Sequence, residues 1–93
     1  MLNELNYQAV IKRGKISSKT THREFFEKAK EELKEIENEL PDNNPMYFPD
    51  SLFEEIQDLR TVLTNWLIHY NQDIESLEYW NFMKNNERAK RGK

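Results

Sequence analysis

Residues 21–40, THREFFEKAKEELKEIENEL, decide the fold class of this chain. Thr21 and Glu24 have the spacing of a capping box, in which two side chains satisfy the free N–H groups at the start of a helix. Apolar residues then recur at intervals of three and four, the period of one helix face; they are Phe25, Phe26, Ala29, Leu33, Ile36 and Leu40. Because Pro41 follows, the stretch predicts one amphipathic helix running to Leu40.

Two more helices are predicted on either side of this one. The first runs from about Leu2 to Lys12 and ends at Gly14, a residue suited to the left-handed conformation that closes helices. The segment PDNNPMYFPD is too rich in proline and asparagine for a helix and predicts turns. A further helix is expected to start at Pro49-Asp50-Ser51, with Ser51 and Glu54 as a second capping box.

A fourth helix is predicted from about Ile74 to Arg88. The preceding turn, Asn71-Gln72-Asp73, is short, so this helix should lie antiparallel against the third. Its inward-facing residues are then expected to be Leu77, Trp80 and Met83 or Phe82.

Composition favours a single all-α domain covering residues 1–93. With Gly 2 and Pro 3, long stretches are free of helix breakers, and with Cys 0 there is neither a disulfide framework nor a thiolate metal site. Hydrophobic residues make up 37% and charged residues 33% of the chain, so one copy has little material for a core. We therefore expect a four-helix bundle completed by oligomerisation.

The charge of −3 is unevenly distributed. The last ten residues, KNNERAKRGK, hold five of the 14 basic side chains, and residues 89–93 are expected to form a flexible basic tail. An acidic body does not predict specific nucleic-acid binding. No apolar run has the roughly 18–20 residues that cross a membrane, and no secretory signal is evident, so a cytoplasmic protein without a membrane partner is expected.

Two acidic pairs allow two interpretations. Glu32 and Glu35 lie three residues apart in one predicted helix, as do Glu55 and Asp58 in another. Residues at this spacing are neighbours on a helix surface, so each pair can face one point, and pairs on facing helices can build a metal site. In a chain this charged, the same pairs also arise on solvated faces. The spacing alone favours the solvated face.

The acids together resemble a family signature. Glu31-Glu32-x-x-Glu35, then nineteen residues, then Glu55-x-x-Asp58 is similar to the EExxE…ExxD pattern of the all-α nucleotide pyrophosphohydrolases, most of all the MazG-like branch. Lys12-Arg13-Gly14 after the first helix and the segment 83–88, MKNNER, resemble the family's flanking segments. The resemblance thus covers most of the chain.

The resemblance implies hydrolysis of nucleoside triphosphates to the monophosphate and pyrophosphate. By position, the catalytic acids would be Glu31, Glu32, Glu35, Glu55 and Asp58. All but Glu31 would ligate Mg²⁺, for which Mn²⁺ is an expected substitute, whereas Glu31 would be an outer carboxylate, a ligand of a further ion or an orienter of water. The substrate-binding positions would be Lys84, Asn85 and Arg88. A homodimer or homotetramer is expected.

Departures from the family pattern leave the branch open. Arg60 after the ExxD pair and Lys34 inside the EExxE helix are unusual. Dimeric dUTPases and phosphoribosyl-ATP pyrophosphohydrolases share the same carboxylate arrangement. The alternative from another class is a non-enzymatic helical interaction module whose basic tail binds nucleic acid or an acidic partner.

Overall fold

The structure, a computed structural model, describes residues 2–40 and 49–92. Within these ranges the regular elements are all helices, which confirms the predicted all-α class. They are α1 (Leu2–Lys12), α2 (His22–Glu39), α3 (Asp50–His69) and α4 (Ile74–Lys90). Among the described helices, none combines the length and apolar character needed to cross a membrane. The predicted turns of PDNNPMYFPD fall mainly on residues 41–48, outside the described ranges.

Helix α1 ends in the left-handed turn that Gly14 predicts. Gly14 has φ +74°, its N–H donates to Ile11 O at 2.9 Å, and the Lys15 N–H donates to Val10 O at 3.2 Å. These two bonds define a Schellman motif, which satisfies carbonyls that the helix end leaves free. The motif reverses the chain so that the α1–α2 loop, residues 13–21, returns along the helices.

Helix α2 begins with the Thr21 half of the predicted capping box. Thr21 is the N-cap residue, and its Oγ1 accepts a hydrogen bond from the Glu24 N–H at 3.2 Å. The Thr21 hydroxyl also donates a hydrogen bond to Glu24 Oε1 at 3.4 Å. Such a cap stabilises a helix start by about 1 kcal/mol.

Helix α3 starts differently from the prediction. Its N-cap is Pro49, without a side-chain cap, and Ser51 lies within the helix, where its Oγ donates to Glu39 Oε2 at 2.7 Å. The predicted capping box of Ser51 and Glu54 is therefore wrong, because the helix begins at Asp50. At the other end Asn71 adopts φ +58°, a left-handed conformation that asparagine tolerates, and ends the helix.

Helices α1, α2 and α3 pack together, with α3 contacting both others. Among the described residues only Ile16 and Phe25 are buried hydrophobic side chains. Two polar residues are buried as deeply, Glu32 on α2 and Asn65 on α3. The interior of one copy is thus small and half polar.

Helix α4 does not form the predicted antiparallel pair along α3. Within the described part of the chain it contacts only α3, and the side chains expected inside are exposed, with Trp80 at 72% and Phe82 at 60%. The apolar residues of α4 are distributed around the helix and give it no single face to bury. The helix also continues to Lys90, so the first two residues of the predicted tail, 89–93, are helical.

Candidate metal centre

Three of the predicted ligands meet between α2 and α3. Glu32 and Glu35 lie one turn apart on α2, and Glu55 lies on the facing surface of α3. One carboxylate oxygen from each lies within 4.8 Å of the others. We call Glu32, Glu35 and Glu55 the acid cluster. Packing of α2 on α3, which the apolar pattern of both helices produces, is what converts two local acid pairs into one site.

Two carboxylate oxygens of the acid cluster lack a partner. Glu32 is 8% exposed, and its Oε2 is buried without a hydrogen bond. Oε2 of the half-buried Glu55 is likewise buried and unpaired, whereas Glu35 is exposed. A buried charged oxygen without a partner is costly, and a divalent cation between these groups would satisfy it. The all-oxygen donor set fits hard ions such as Mg²⁺ and Mn²⁺.

The pKa values of Glu55 and Glu32 are both raised within the crowded acid cluster. A hydrogen bond with Glu35, burial, and the charges of Glu35, Asp58 and Glu32 together raise the pKa of Glu55 to about 7. Burial, with repulsion from Glu35, raises the pKa of Glu32, although its bond to Lys28 works in the opposite direction. Near neutral pH the acid cluster therefore holds a proton where a metal ion would otherwise bind.

Lys28 partly neutralises the negative charge of the acid cluster. Its Nζ lies 3.3 Å from Glu32 Oε1 and 3.5 Å from Glu31 Oε2. Partial burial lowers the pKa of Lys28, but the hydrogen bonds and charges of Glu32 and Glu31 outweigh it and raise that pKa overall. Lys28 pairs with only one carboxylate oxygen of Glu32, Oε1, and the other, Oε2, remains without a partner.

The other two predicted acids lie beside the acid cluster. Asp58 is exposed and lies outside the group of three, although it is close enough for its charge to help raise the pKa of Glu55. Glu31 points to the surface, with its side chain 67% exposed, and pairs with Lys28. Both line an open cleft that also reaches Glu32.

This cleft has a volume of about 670 Å³ and runs between α1, the α1–α2 loop, α2 and α3. Its apolar wall includes Val10, Ile16 and Val62. A volume of this size falls within the range of small-molecule sites in proteins. Glu31, Glu32 and Asp58 thus line a space large enough for a nucleotide, whereas Glu35 and Glu55 of the acid cluster do not line it.

The predicted substrate-binding residues are not part of this cleft. Lys84, Asn85 and Arg88 are exposed on α4, and within the described residues α4 makes no contact with α2. One copy of the chain therefore does not bring them to the acid cluster.

A cluster of rings joins α2 to α3 and was not anticipated from the sequence. The Trp66 Nε1–H donates to His22 Nδ1 at 2.8 Å, and the His22 ring stacks on Tyr70 with centroids 3.8 Å apart. Nothing in the local spacing links positions 22 and 66, because only the packing of α2 on α3 joins them.

His69 extends this cluster to the other segments. Its Nδ1 lies 2.9 Å from the Tyr7 hydroxyl of α1, and its Nε2 lies 3.1 Å from Thr20 O in the α1–α2 loop. The Tyr70 hydroxyl donates to the same carbonyl at 3.3 Å. The His69 ring is half-buried and ties α1, α3 and the α1–α2 loop together.

The chain was compared with models of protein families, with curated proteins and with solved structures, and no match was found. Its likeness to the MazG-like family thus remains a resemblance of residues and spacing.

Proposed function

We propose that the chain is a Mg²⁺-dependent, MazG-like nucleotide pyrophosphohydrolase that cleaves (d)NTP to (d)NMP and pyrophosphate. The observation that carries this proposal is the acid cluster, in which oxygens of Glu32, Glu35 and Glu55 lie within 4.8 Å of one another. Two of its buried oxygens have no hydrogen-bond partner, as expected for ligands of a cation.

The acids would hold Mg²⁺ in this scheme, with Mn²⁺ as a substitute. When bound, the ion supplies charge neutralisation of the phosphates and polarises the phosphorus centre toward water. We assign Asp58 as the fourth ligand, because it lies at the edge of the acid cluster and influences the pKa of Glu55. The placement of Glu31 at the rim, paired with Lys28, supports an outer role in orienting water rather than a place in the first coordination sphere.

Oligomerisation is part of the proposal. Trp80 is 72% exposed and Phe82 is 60% exposed on α4, and the outer faces of α2 and α3 expose Leu33 at 57% and Phe53 at 48%. A second copy would cover such surfaces. Since α4 does not reach α2 of its own chain, Asn85 and Arg88 would serve the acid cluster of another copy. We propose a homodimer or homotetramer on this basis.

Pyrophosphate release tests the activity. The protein is incubated with a panel of (d)NTPs and Mg²⁺, and we expect release from at least one nucleotide and none in excess EDTA. A Glu35→Gln, Asp58→Asn double variant should lose about 100-fold or more of kcat/KM, because two charged ligands are removed together.

A matched control distinguishes activity lost because metal ligands are removed from activity lost because the net negative charge of the protein falls. Glu37→Gln with Glu54→Gln removes two exposed carboxylates from the same two helices, outside the acid cluster and the cleft, and should retain activity. Full activity in the Glu35→Gln, Asp58→Asn protein would contradict the proposal. An inactive wild type that binds nucleic acid in a salt-sensitive manner through Lys90 and Arg91 would favour the interaction-module alternative.

A further inference from the structure

The cleft beside the acid cluster carries cations as well as acids. It is lined by four cationic and five acidic residues; the cations are Arg13, Lys15, Arg23 and Lys28, and the acids are Glu24, Glu27, Glu31, Glu32 and Asp58. The cations come from three segments, the end of α1, the α1–α2 loop and α2. Opposite charges thus share one space without neutralising each other completely.

Two of the four cations are already engaged. Arg23 pairs with Glu27 at 3.5 Å, and Lys28 pairs with Glu31 and Glu32. Arg13 and Lys15, in contrast, make no ion pair with any described residue, and both are exposed. Their charges remain available to an anion in the cleft.

The backbone holds this pair in place. Arg13 and Lys15 flank Gly14, whose left-handed turn is fixed by the two Schellman hydrogen bonds. The next residue, Ile16, is buried at 8% exposure, so the chain is anchored directly after the turn.

The loop's far end is anchored as well. Thr20 O accepts from the Tyr70 hydroxyl and lies 3.1 Å from His69 Nε2, while the Ser17 N–H donates to Thr20 Oγ1 at 2.9 Å. Cations on a fixed loop bind an anion with less loss of conformational entropy than cations on a mobile one.

We propose that Arg13 and Lys15 bind the phosphate oxygens of a metal-chelated polyphosphate whose metal ion is held by the acid cluster. This subsite rests on the proposed function, since it supplies the phosphate side of the same ligand. The five acids that line the cleft outnumber its four cations and oppose a free anion, so we expect the ligand to carry a divalent cation into the cleft. The Arg13 guanidinium offers a planar fork for two phosphate oxygens, and the Lys15 ammonium offers a point charge.

Calorimetric titration with inorganic tripolyphosphate in excess Mg²⁺ tests the subsite without any hydrolysis. The wild type should bind, and an Arg13→Ala, Lys15→Ala double variant should bind about 10-fold or more weakly. The matched control is Lys12→Ala with Lys19→Ala, which removes the same charge from the same region at positions that do not line the cleft. We expect the control to change affinity less than about 2-fold.

Two controls check that the variants keep their fold and their metal site. Thermal unfolding is measured for both double variants, and Mn²⁺ binding without polyphosphate is followed by electron paramagnetic resonance. Similar melting temperatures and unchanged Mn²⁺ affinity in the Arg13→Ala, Lys15→Ala protein are expected. Equal loss of tripolyphosphate affinity in both double variants, or no binding by the wild type, would overturn the subsite. Tripolyphosphate binding that needs Arg13 and Lys15 in a protein that hydrolyses no nucleotide would leave the subsite standing and remove the proposed activity.

Discussion

Glu32 is among the least exposed side chains of the described chain, at 8%, while the adjacent Leu33 is 57% exposed. This inverts the usual preference for apolar interiors. The sequence places Glu32 at the edge of the apolar stripe of α2, so its approach to α3 follows from helical geometry. The burial of Glu32 and the lack of a partner for its Oε2 cannot be predicted from helical geometry, because both depend on how closely α3 packs against α2.

The raised pKa of Glu55 predicts a pH-dependent stability of the metal-free protein. An unfolded glutamate ionises near 4.5, whereas folded Glu55 keeps its proton up to about 7. The native state therefore binds more protons between these values, so the free energy of unfolding should fall as pH rises from 4.5 to 7. Urea unfolding in EDTA across this range measures the slope.

A Glu55→Gln variant isolates this contribution. It should lose part of the pH dependence and become more stable than the wild type at neutral pH, because the amide carries no charge into the crowded site. Glu54→Gln removes an exposed carboxylate from the same helix and serves as the control for net charge. Identical pH dependence in the wild type and the Glu55→Gln protein would show that Glu55 ionises normally.

At the scale of elements, helix ends were more predictable than helix partners. The Thr21 cap and the Gly14 turn form as their local sequence indicates, because each needs only backbone groups within a few residues. The predicted cap at Ser51 does not form, because the helix begins one residue earlier and the Ser51 hydroxyl donates to Glu39 of α2 instead. The position of α4 also fails, because its apolar residues surround the helix and specify no packing direction.

The left-handed Gly14 supports a stability prediction for α1. Gly14→Ala should lower the free energy of unfolding by about 1 kcal/mol, because an alanine at φ +74° is strained although a Cβ there would meet no atom within 4 Å. Urea unfolding followed by circular dichroism measures the loss. Gly92→Ala places the same substitution at φ +71° after α4 and should cost less, because the end of that helix is not packed. Equal losses at both sites would contradict this account.

The whole molecule exposes more surface than a compact monomer should. Its accessible surface is 7974 Å², against about 5,700 Å² expected from the scaling for a monomer of 11.3 kDa. Its radius of gyration is 16.0 Å, where roughly 12 Å would suit a compact chain of this length. The excess of about 2,200 Å² is of the size that obligate subunits bury at their interfaces.

We therefore predict that the protein in solution has two or four times the monomer mass of 11.3 kDa, measured by light scattering after size exclusion. Trp80→Glu should shift the mass toward the monomer, because it replaces a large exposed apolar side chain with a charge. Asn81→Glu adds the same charge to the same helix at a polar position and should leave the assembly intact. A wild-type monomer at high concentration would contradict the prediction.

Mixed subunits test whether α4 completes the site of another copy. A Glu35→Gln, Glu55→Gln chain lacks the acid cluster, and an Asn85→Ala, Arg88→Ala chain lacks the α4 residues. Each alone should be inactive, whereas refolding equal amounts of the two together should restore about a quarter of wild-type activity, because half of randomly formed dimers are mixed and each mixed dimer has one intact site of two. No recovery in mixtures shown to contain both chains would exclude sharing between copies.

Local sequence specifies the helices, the Thr21 cap, the Gly14 turn and the four acids at helical spacing, because these depend on contacts within a few residues. Which acids meet depends on how α2 packs on α3. The tertiary structure joined Glu32 and Glu35 to Glu55 across the α2–α3 contact, left Asp58 at the edge, and placed α4 away from the acid cluster. It also brought Arg13 and Lys15 to the cleft, since the direction of a loop depends on where its buried residues find their partners.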